Sequence, residues 1–117
     1  MPSLKKIPAA RDTFGRALRT VRVAQGRTQE DFVSGSSRTH VSMLERGVNT
    51  PNLGTIEVLA LELNVHPLTI VALTYSTAPS PEAVKQLLNL VSKEVESLNV
   101  LEFVPANRRR KAQPVKV

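Results

Sequence analysis

Turn-forming residues divide this chain into short segments, and that division constrains its fold more than any other feature. The segments end at Gly26, Gly35, Gly47, Asn64 and the proline pair of residues 79–81. Between these points apolar residues recur three or four positions apart, which is typical of a helix with one buried face. Because such short helices are not stable alone, the sequence predicts an all-α fold in which they share one core.

The composition supports a helical bundle. Hydrophobic residues make up 41% of the chain, but aromatic residues only 3%, and there is no Trp. A core of Leu, Val, Ile and Ala suits helices better than sheets, although Val, Ile and Thr are frequent enough to keep strands as an alternative. The absence of cysteine excludes disulfides, thiolate nucleophiles and Cys-based zinc sites. With no signal peptide and no run of about 18 apolar residues, we expect a cytoplasmic protein that does not span a membrane.

Six helices are predicted, each after a residue that can accept the unpaired amide hydrogens of a first turn. These caps are, in chain order, Asp12, Thr28, Ser36 or Ser37, Asn52, His66 and Ser80. The second helix is the short stretch QEDFVSG, in which Thr28 and Asp31 have the spacing of a capping box. The third runs from Arg38 to Arg46, with Val41 and Leu44 as its apolar pair.

Charge is distributed unevenly along the chain, whose net charge is +6. Residues 1–11 contain three basic and no acidic residues, and residues 104–117 contain five basic and no acidic residues. Between these ends, residues 12–47 hold six Arg against four acids, whereas residues 53–103 hold two Lys against six Glu. We predict a flexible basic arm, a disordered basic tail, and a basic front half that faces a polyanion.

Several motifs occur in an order and spacing that resemble the Xre-type, lambda repressor-like helix-turn-helix family. The motifs are LRTVRVAQGRTQEDF, VSMLERG and TPNLGTIEVLALELNVHPLTIVAL, and the resemblance covers about residues 12–75. Thr28, Gln29 and Glu30, followed by Ser-x-x-Glu-Arg-Gly ending at Gly47, are its most diagnostic part. The resemblance implies a five-helix DNA-binding domain over residues 12–76, with residues 77–103 as a linker and an additional C-terminal amphipathic helix.

The resemblance also implies that the exposed face of the third helix enters the major groove of DNA. Arg38, Thr39, Ser42 and Met43 would then face base edges, since Arg can donate two bonds to guanine and Thr or Met can contact a thymine methyl. The alternatives are that Arg38 is ordinary surface and that Met43 fills the core. Ser42 either contacts a base or phosphate, or simply allows the helix to approach DNA closely.

Further roles implied by the resemblance lie beside that helix. Gln29 and Asn52 begin two helices whose N-termini favour a phosphate, although Gln29 is alternatively a plain helix-start residue. The full set of predicted phosphate contacts is Thr28, Gln29, His40, Arg46, Asn49, Thr50 and Asn52. Arg22 and Glu45 occupy positions where the family has a structural ion pair between its first and third helices.

No metal, cofactor or catalytic site is expected. His40 and His66 have no carboxylate at ligand spacing. Neighbouring acids such as Glu30 and Asp31 point in different directions from a helix, so they are interpreted as helix-cap and solvent-face charges. There is no nucleophile-base set and no glycine-rich phosphate loop, so we expect a protein that is not an enzyme.

The sixth helix has an apolar stripe too wide to remain in water. It consists of Val84, Leu87, Leu88, Val91, Val95 and Leu98. Because the family usually binds paired half-sites as dimers, we favour pairing with a second copy of the chain. In the alternative, this helix completes the monomer core and the fifth helix forms the interface through Leu68, Ile70, Val71 and Leu73.

These expectations lead to a sequence-specific transcriptional regulator, a dimeric bacterial or phage repressor that binds palindromic double-stranded DNA at the nucleoid. The rival hypothesis is an antitoxin-like adaptor on the same scaffold, whose acidic C-terminal half binds another protein. One departure from the family lies between Phe32 and Arg38, where VSGSS is about two residues shorter than usual. Because of this shorter segment, the resemblance does not fix the angle between the second and third helices.

Overall fold

The computed structural model describes residues 10–32 and 38–98, with side chains from Thr13 onward. These residues form five α-helices and one 3-10 helix, and they contain no strand. The α-helices are α1 (Ala10–Ala24), α2 (Arg38–Glu45), α3 (Leu53–Leu63), α4 (Pro67–Tyr75) and α5 (Pro81–Ser97), and the 3-10 helix is Gln29–Asp31. The predicted all-α class is therefore confirmed.

Most helix ends follow the residues from which they were predicted. The side chains of Asn52, His66 and Ser80 accept first-turn backbone N–H groups at 2.8, 2.9 and 3.1 Å, at the starts of α3, α4 and α5. Beyond the ends of α1 and α2, Gly26 and Gly47 have φ of 70° and 77°, the left-handed conformation that satisfies the last carbonyls. Short polar side chains and glycine thus set the lengths of these helices.

The second predicted helix is wrong in type. As far as Phe32, the last residue described in this segment, the chain forms the 3-10 helix Gln29–Asp31, and Phe32 is already extended, with φ −84° and ψ 114°. The N–H of Thr28 donates to the carboxylate of Asp31 at 2.7 Å, so the predicted cap pair does form. Because no residue of Gln29–Asp31 is buried, no apolar stripe favours continuing this turn as an α-helix.

Two helix boundaries also differ from the prediction. α1 begins at Ala10 rather than after Asp12. α2 ends at Glu45 instead of Arg46, a difference within the usual fraying of a helix end. The predicted caps Ser36 and Ser37, together with Val33 and Gly35, lie outside the described residues.

The core lies between α1, α2, α3 and α4. α1 packs against α2 and α4, α3 packs against α4, and the 3-10 helix packs against α2. The buried cluster is aliphatic apart from two phenylalanines and comprises Phe14, Ala17, Leu18, Val21, Phe32, Val41, Leu44, Ile56, Leu59, Ala60, Leu63 and Ile70. Val71 and Leu73 pack against this cluster, so within the alternative interface proposed on α4 only Leu68 is exposed.

The chain divides into two compact units, residues 1–87 and residues 88–117, with the division inside α5. No residue of α5 is buried. Of its predicted stripe, Leu88, Val91, Val95 and Leu98 are exposed, and Val84 and Leu87 are half-buried. Within residues 10–32 and 38–98, no single helix is both long enough and apolar enough to cross a membrane. Helices α3 and α4 meet the two criteria only when taken together, and that pair is bent by 110°.

α1 and α2 approach each other closely at Gly15. A Cβ atom at this position would lie 2.6 Å from the carbonyl oxygens of both Leu44 and Glu45. Glycine inside a helix costs about 0.5–1 kcal/mol relative to alanine, so its use here is explained by packing rather than by helix propensity. The backbone of α1 therefore supports the C-terminal end of α2 directly.

We expect Gly15→Ala to destabilise the protein despite its better helix propensity. The new methyl group meets backbone atoms that cannot rotate away, so the helices must separate, at a cost of about 1–3 kcal/mol. For a domain of this size each kcal/mol lowers the melting temperature by about 4–8 °C, which calorimetry or circular dichroism measures.

Gly54→Ala is the matched control. Gly54 is also helical, but a Cβ there lies 3.4 Å from its nearest neighbour, the side-chain oxygen of Asn52. This variant should be as stable as the wild type or more stable by up to about 1 kcal/mol. Equal stability of the two variants would contradict the close contact between α1 and α2.

Candidate nucleic-acid interface

Helix α2 has one buried face and one exposed face. Val41 and Leu44 are completely buried in the core. Positions 38, 39, 42 and 43 lie on the opposite side of the helix, since residues at these spacings share a face. Arg38 and Thr39 are exposed there, and Ser42 and Met43 are half-buried. The four residues predicted to contact bases therefore occupy the outward side of a helix held by its other side.

Arg22 and Glu45 form the buried ion pair that joins α1 to α2. The Nε and Nη2 atoms of Arg22 donate to the two carboxylate oxygens of Glu45 at 2.7 and 3.0 Å. The two side chains are only 11% and 4% exposed. The hydrogen bond to Glu45 raises the pKa of Arg22 above its ordinary value, against the opposing effect of desolvation. This two-bond geometry fixes direction as well as distance.

Glu45 also accepts a hydrogen bond from Gln29, whose Nε2 lies 3.0 Å from Oε1 of the carboxylate. One carboxylate thus joins α1, the 3-10 helix and α2. The phosphate contact of Gln29 stays a prediction, and the partner that the structure shows for its side chain is Glu45. Since a side-chain amide has two N–H donors, the bond to Glu45 leaves one for another acceptor.

The other residues predicted to contact phosphate lie before, within and after α2. Thr28 precedes the 3-10 helix, His40 is in α2, and the remaining four, Arg46, Asn49, Thr50 and Asn52, follow α2 as far as the start of α3. Thr28, Arg46, Thr50 and Asn52 are exposed, whereas His40 and Asn49 are half-buried. Arg46 Nε donates to Ser42 Oγ at 3.4 Å, a long contact at the surface.

Two polar residues that the sequence did not single out connect the turn after α1 to the end of α3. Gln25 Nε2 donates to the carbonyl oxygen of Leu63 at 2.8 Å. Arg27 donates to the carbonyl oxygen of Glu62, and its guanidinium lies 5.7 Å from the ring centre of Phe32, within cation–π range. Arg27 therefore supports the fold, although by composition it belongs to the basic front half.

Glu30 is a further residue that sequence reasoning missed. Its Oε2 atom lies 3.4 Å from Nε of Arg38, and the two side chains are 70% and 65% exposed. Glu30 had been interpreted as a helix-cap or solvent-face charge. No local spacing rule could have found this pair, because the residues lie eight positions apart on two different elements.

Within the described part of the chain, no three His, Cys, Asp or Glu residues are placed to hold a metal ion. His66 uses Nδ1 to cap α4. The chemistry of the α2 surface is therefore that of hydrogen-bond donors, hydroxyl groups and a guanidinium.

Glu45→Ala is expected to reduce the free energy of unfolding by about 3–5 kcal/mol, because it leaves the guanidinium of Arg22 desolvated without its carboxylate. Urea denaturation followed by circular dichroism measures the loss. Glu57→Ala, which removes an exposed carboxylate from α3, should change stability by no more than about 0.5 kcal/mol. A Glu45→Ala protein as stable as the Glu57→Ala control would contradict the structural role of the pair.

Comparison with known proteins identifies the segment that carries these features. The profile of the helix-turn-helix family matches residues 18–70. No curated protein and no solved structure matches the chain significantly. The matched segment includes the Arg22–Glu45 pair, the 3-10 helix, α2 and α3. Residues 18–70 therefore form a helix-turn-helix domain of the Xre-type, lambda repressor-like family, and this domain supports a DNA-binding regulator.

Proposed function

We propose that this protein is a transcriptional repressor that binds a palindromic operator as a homodimer and acts at the bacterial or phage nucleoid in the cytoplasm. The observation that carries the proposal is the arrangement of α2. Val41 and Leu44 are buried, Glu45 is fixed by Arg22, and the opposite face bears Arg38 and Thr39 in solvent. A short helix held this firmly, with hydrogen-bonding side chains outward, suits insertion into the major groove.

Base recognition in this proposal belongs to the outward face of α2. Arg38, in the first turn, donates two hydrogen bonds to guanine O6 and N7. Thr39 and Met43 contact a thymine methyl, and Ser42 contacts a base or a neighbouring phosphate. Met43 and Ser42 are half-buried whereas Arg38 and Thr39 are exposed. We therefore assign the main part in base recognition to Arg38 and Thr39.

Phosphate contacts then fix the position of α2 along the groove. Gln29 and Thr28 lie at the start of the 3-10 helix, and Asn52 lies at the N-terminus of α3, where backbone N–H groups favour an anion. His40, Arg46, Asn49 and Thr50 complete this proposed set. The basic segments at residues 1–11 and 104–117 add attraction that does not depend on base sequence.

Dimerisation is assigned to α5. Its apolar stripe contains four exposed side chains, Leu88, Val91, Val95 and Leu98, and an apolar strip of this length favours a partner surface. A second copy of the chain supplies a matching strip, and two-fold pairing makes the same patch complementary to itself. It also provides the two copies of α2 that a palindrome requires.

Selection of bound sequences from a random pool of DNA duplexes tests the function. We expect two inverted half-sites whose centres are about one helical turn apart. Affinity for the selected site should fall steeply with salt and exceed affinity for random duplexes by a factor of about a thousand or more.

Arg38→Ala and Arg19→Ala form a matched pair for the same experiment, since both remove one exposed arginine. Only Arg38→Ala should relax the preference at one base position, by about 1–3 kcal/mol. Recovery of no preferred sequence would refute the repressor and favour the adaptor hypothesis, in which the acidic C-terminal half binds another protein.

Val91→Glu tests the assembly. A carboxylate in the centre of the stripe would have to be buried without a partner, so the dimer should dissociate to monomers in analytical ultracentrifugation. Asn89→Glu introduces the same charge change at an exposed position off the stripe and should leave the dimer intact. A Val91→Glu protein that sediments as the same dimer would exclude this face of α5 as the interface.

A further inference from the structure

We propose that Glu30 is a positioning residue for Arg38, holding its guanidinium in one orientation toward a guanine. The inference rests on the proposed function, because it requires Arg38 to contact a base. Its starting observation is the pair between Glu30 Oε2 and Arg38 Nε, 3.4 Å apart. Glu30 lies on the 3-10 helix, which packs against α2, so the carboxylate approaches Arg38 from a neighbouring element.

The choice of nitrogen determines which edge of the guanidinium remains available. Arginine carries five N–H donors in a planar fork, one on Nε and two on each Nη atom. Because Nε is the nitrogen beside Glu30, at 3.4 Å, the edge formed by Nη1 and Nη2 remains available to another acceptor. Two parallel donors on that edge match the N7 and O6 acceptors of guanine in the major groove.

The stability of the folded protein does not account for the Glu30–Arg38 pair. Both side chains are more than half exposed, and exposed ion pairs contribute little to the stability of a free protein. Its effect increases in the complex, where water is displaced and charges interact more strongly. An arginine already held by a carboxylate also loses less side-chain freedom when it binds a base.

Glu30 is also the neighbour of Gln29, a proposed phosphate contact, so its carboxylate would repel the phosphates of bound DNA. Glu30 therefore lowers affinity for DNA of every sequence while it increases the preference for guanine beneath Arg38. This combination of a repulsive and an orienting effect is a recognised way to obtain specificity. Removing the Glu30 charge should therefore lower the preference for guanine and raise the affinity for DNA of every sequence. Loss of structure would not change these two quantities in opposite directions.

The test uses the full chain and duplexes based on the selected operator. The guanine assigned to Arg38 is the position whose preference disappears in Arg38→Ala. Fluorescence anisotropy then gives the affinity for that duplex, for duplexes with each other base pair there, and for a random-sequence duplex. In Glu30→Gln the preference for guanine should fall about 3–10-fold, while affinity for the random-sequence duplex should rise a few-fold.

Two controls distinguish positioning from a general charge effect. Glu57→Gln removes an exposed carboxylate from α3 and should leave the guanine preference unchanged. The double variant Glu30→Gln with Arg38→Ala should show the same base preferences as Arg38→Ala alone, because Glu30 acts only through Arg38. Unchanged melting temperatures of Glu30→Gln and Glu57→Gln confirm that both fold.

Three other outcomes would overturn the inference, and they differ in whether the proposed function survives. Full guanine preference in Glu30→Gln, together with its loss in Arg38→Ala, overturns the positioning role and leaves the proposed function standing. Unchanged base preferences in Arg38→Ala overturn the inference at its premise, although a selected operator still supports a DNA-binding repressor. Failure of the wild-type protein to select any sequence refutes the proposed function and the inference with it.

Discussion

The carboxylate of Glu45 is the point on which the geometry of the helix-turn-helix depends. It is almost completely buried and accepts two hydrogen bonds from Arg22 and one from Gln29. A charge taken out of water is tolerated only when its partners are correctly placed, so the three elements that supply these groups have little freedom to rotate. Apolar contacts such as those of Val41 and Leu44 are less directional. The apolar contacts hold α2 to the core, and the polar contacts determine its rotation about the helix axis.

Polar groups that support the fold also limit the positive charge available to DNA. Residues 12–47 contain six arginines. Arg22 is used in the buried pair, and Arg27 bonds the end of α3, which leaves Arg16, Arg19, Arg38 and Arg46 exposed. Arg38 is itself paired with Glu30. The number of arginines in residues 12–47 therefore overestimates the positive charge available to DNA. The position of each guanidinium matters more than the total charge.

Much of the fold was predictable because helix caps and apolar spacing are local properties of the sequence. Asn52, His66 and Ser80 act as predicted, and Val41 and Leu44 are buried as their spacing indicated. The second helix was not predictable from its cap, since a good cap starts a turn but only a buried apolar stripe continues it. Gly15 is a local signal of close packing, because a glycine inside a strongly periodic helix usually has a packing reason.

The candidate site was predictable only in part. The outward residues of α2 follow from helical periodicity, and the Arg22–Glu45 pair follows from the family resemblance. Contacts such as those between Gln29 and Glu45 or Glu30 and Arg38 depend on how two elements meet in space. Residue spacing within one helix carries no information about contacts between elements, so only the three-dimensional structure identifies these partners.

The shortness of the 3-10 helix makes its N-terminus electrostatically unlike that of α3. Peptide dipoles add along a helix, and three residues sum to much less than the eleven of α3. A phosphate beside the 3-10 helix would be held mainly by side chains such as that of Gln29. A phosphate beside Asn52 would also experience the aligned dipoles of a full helix. Within the proposed set of phosphate contacts, the one beside Asn52 would therefore be held more strongly than the one beside Gln29.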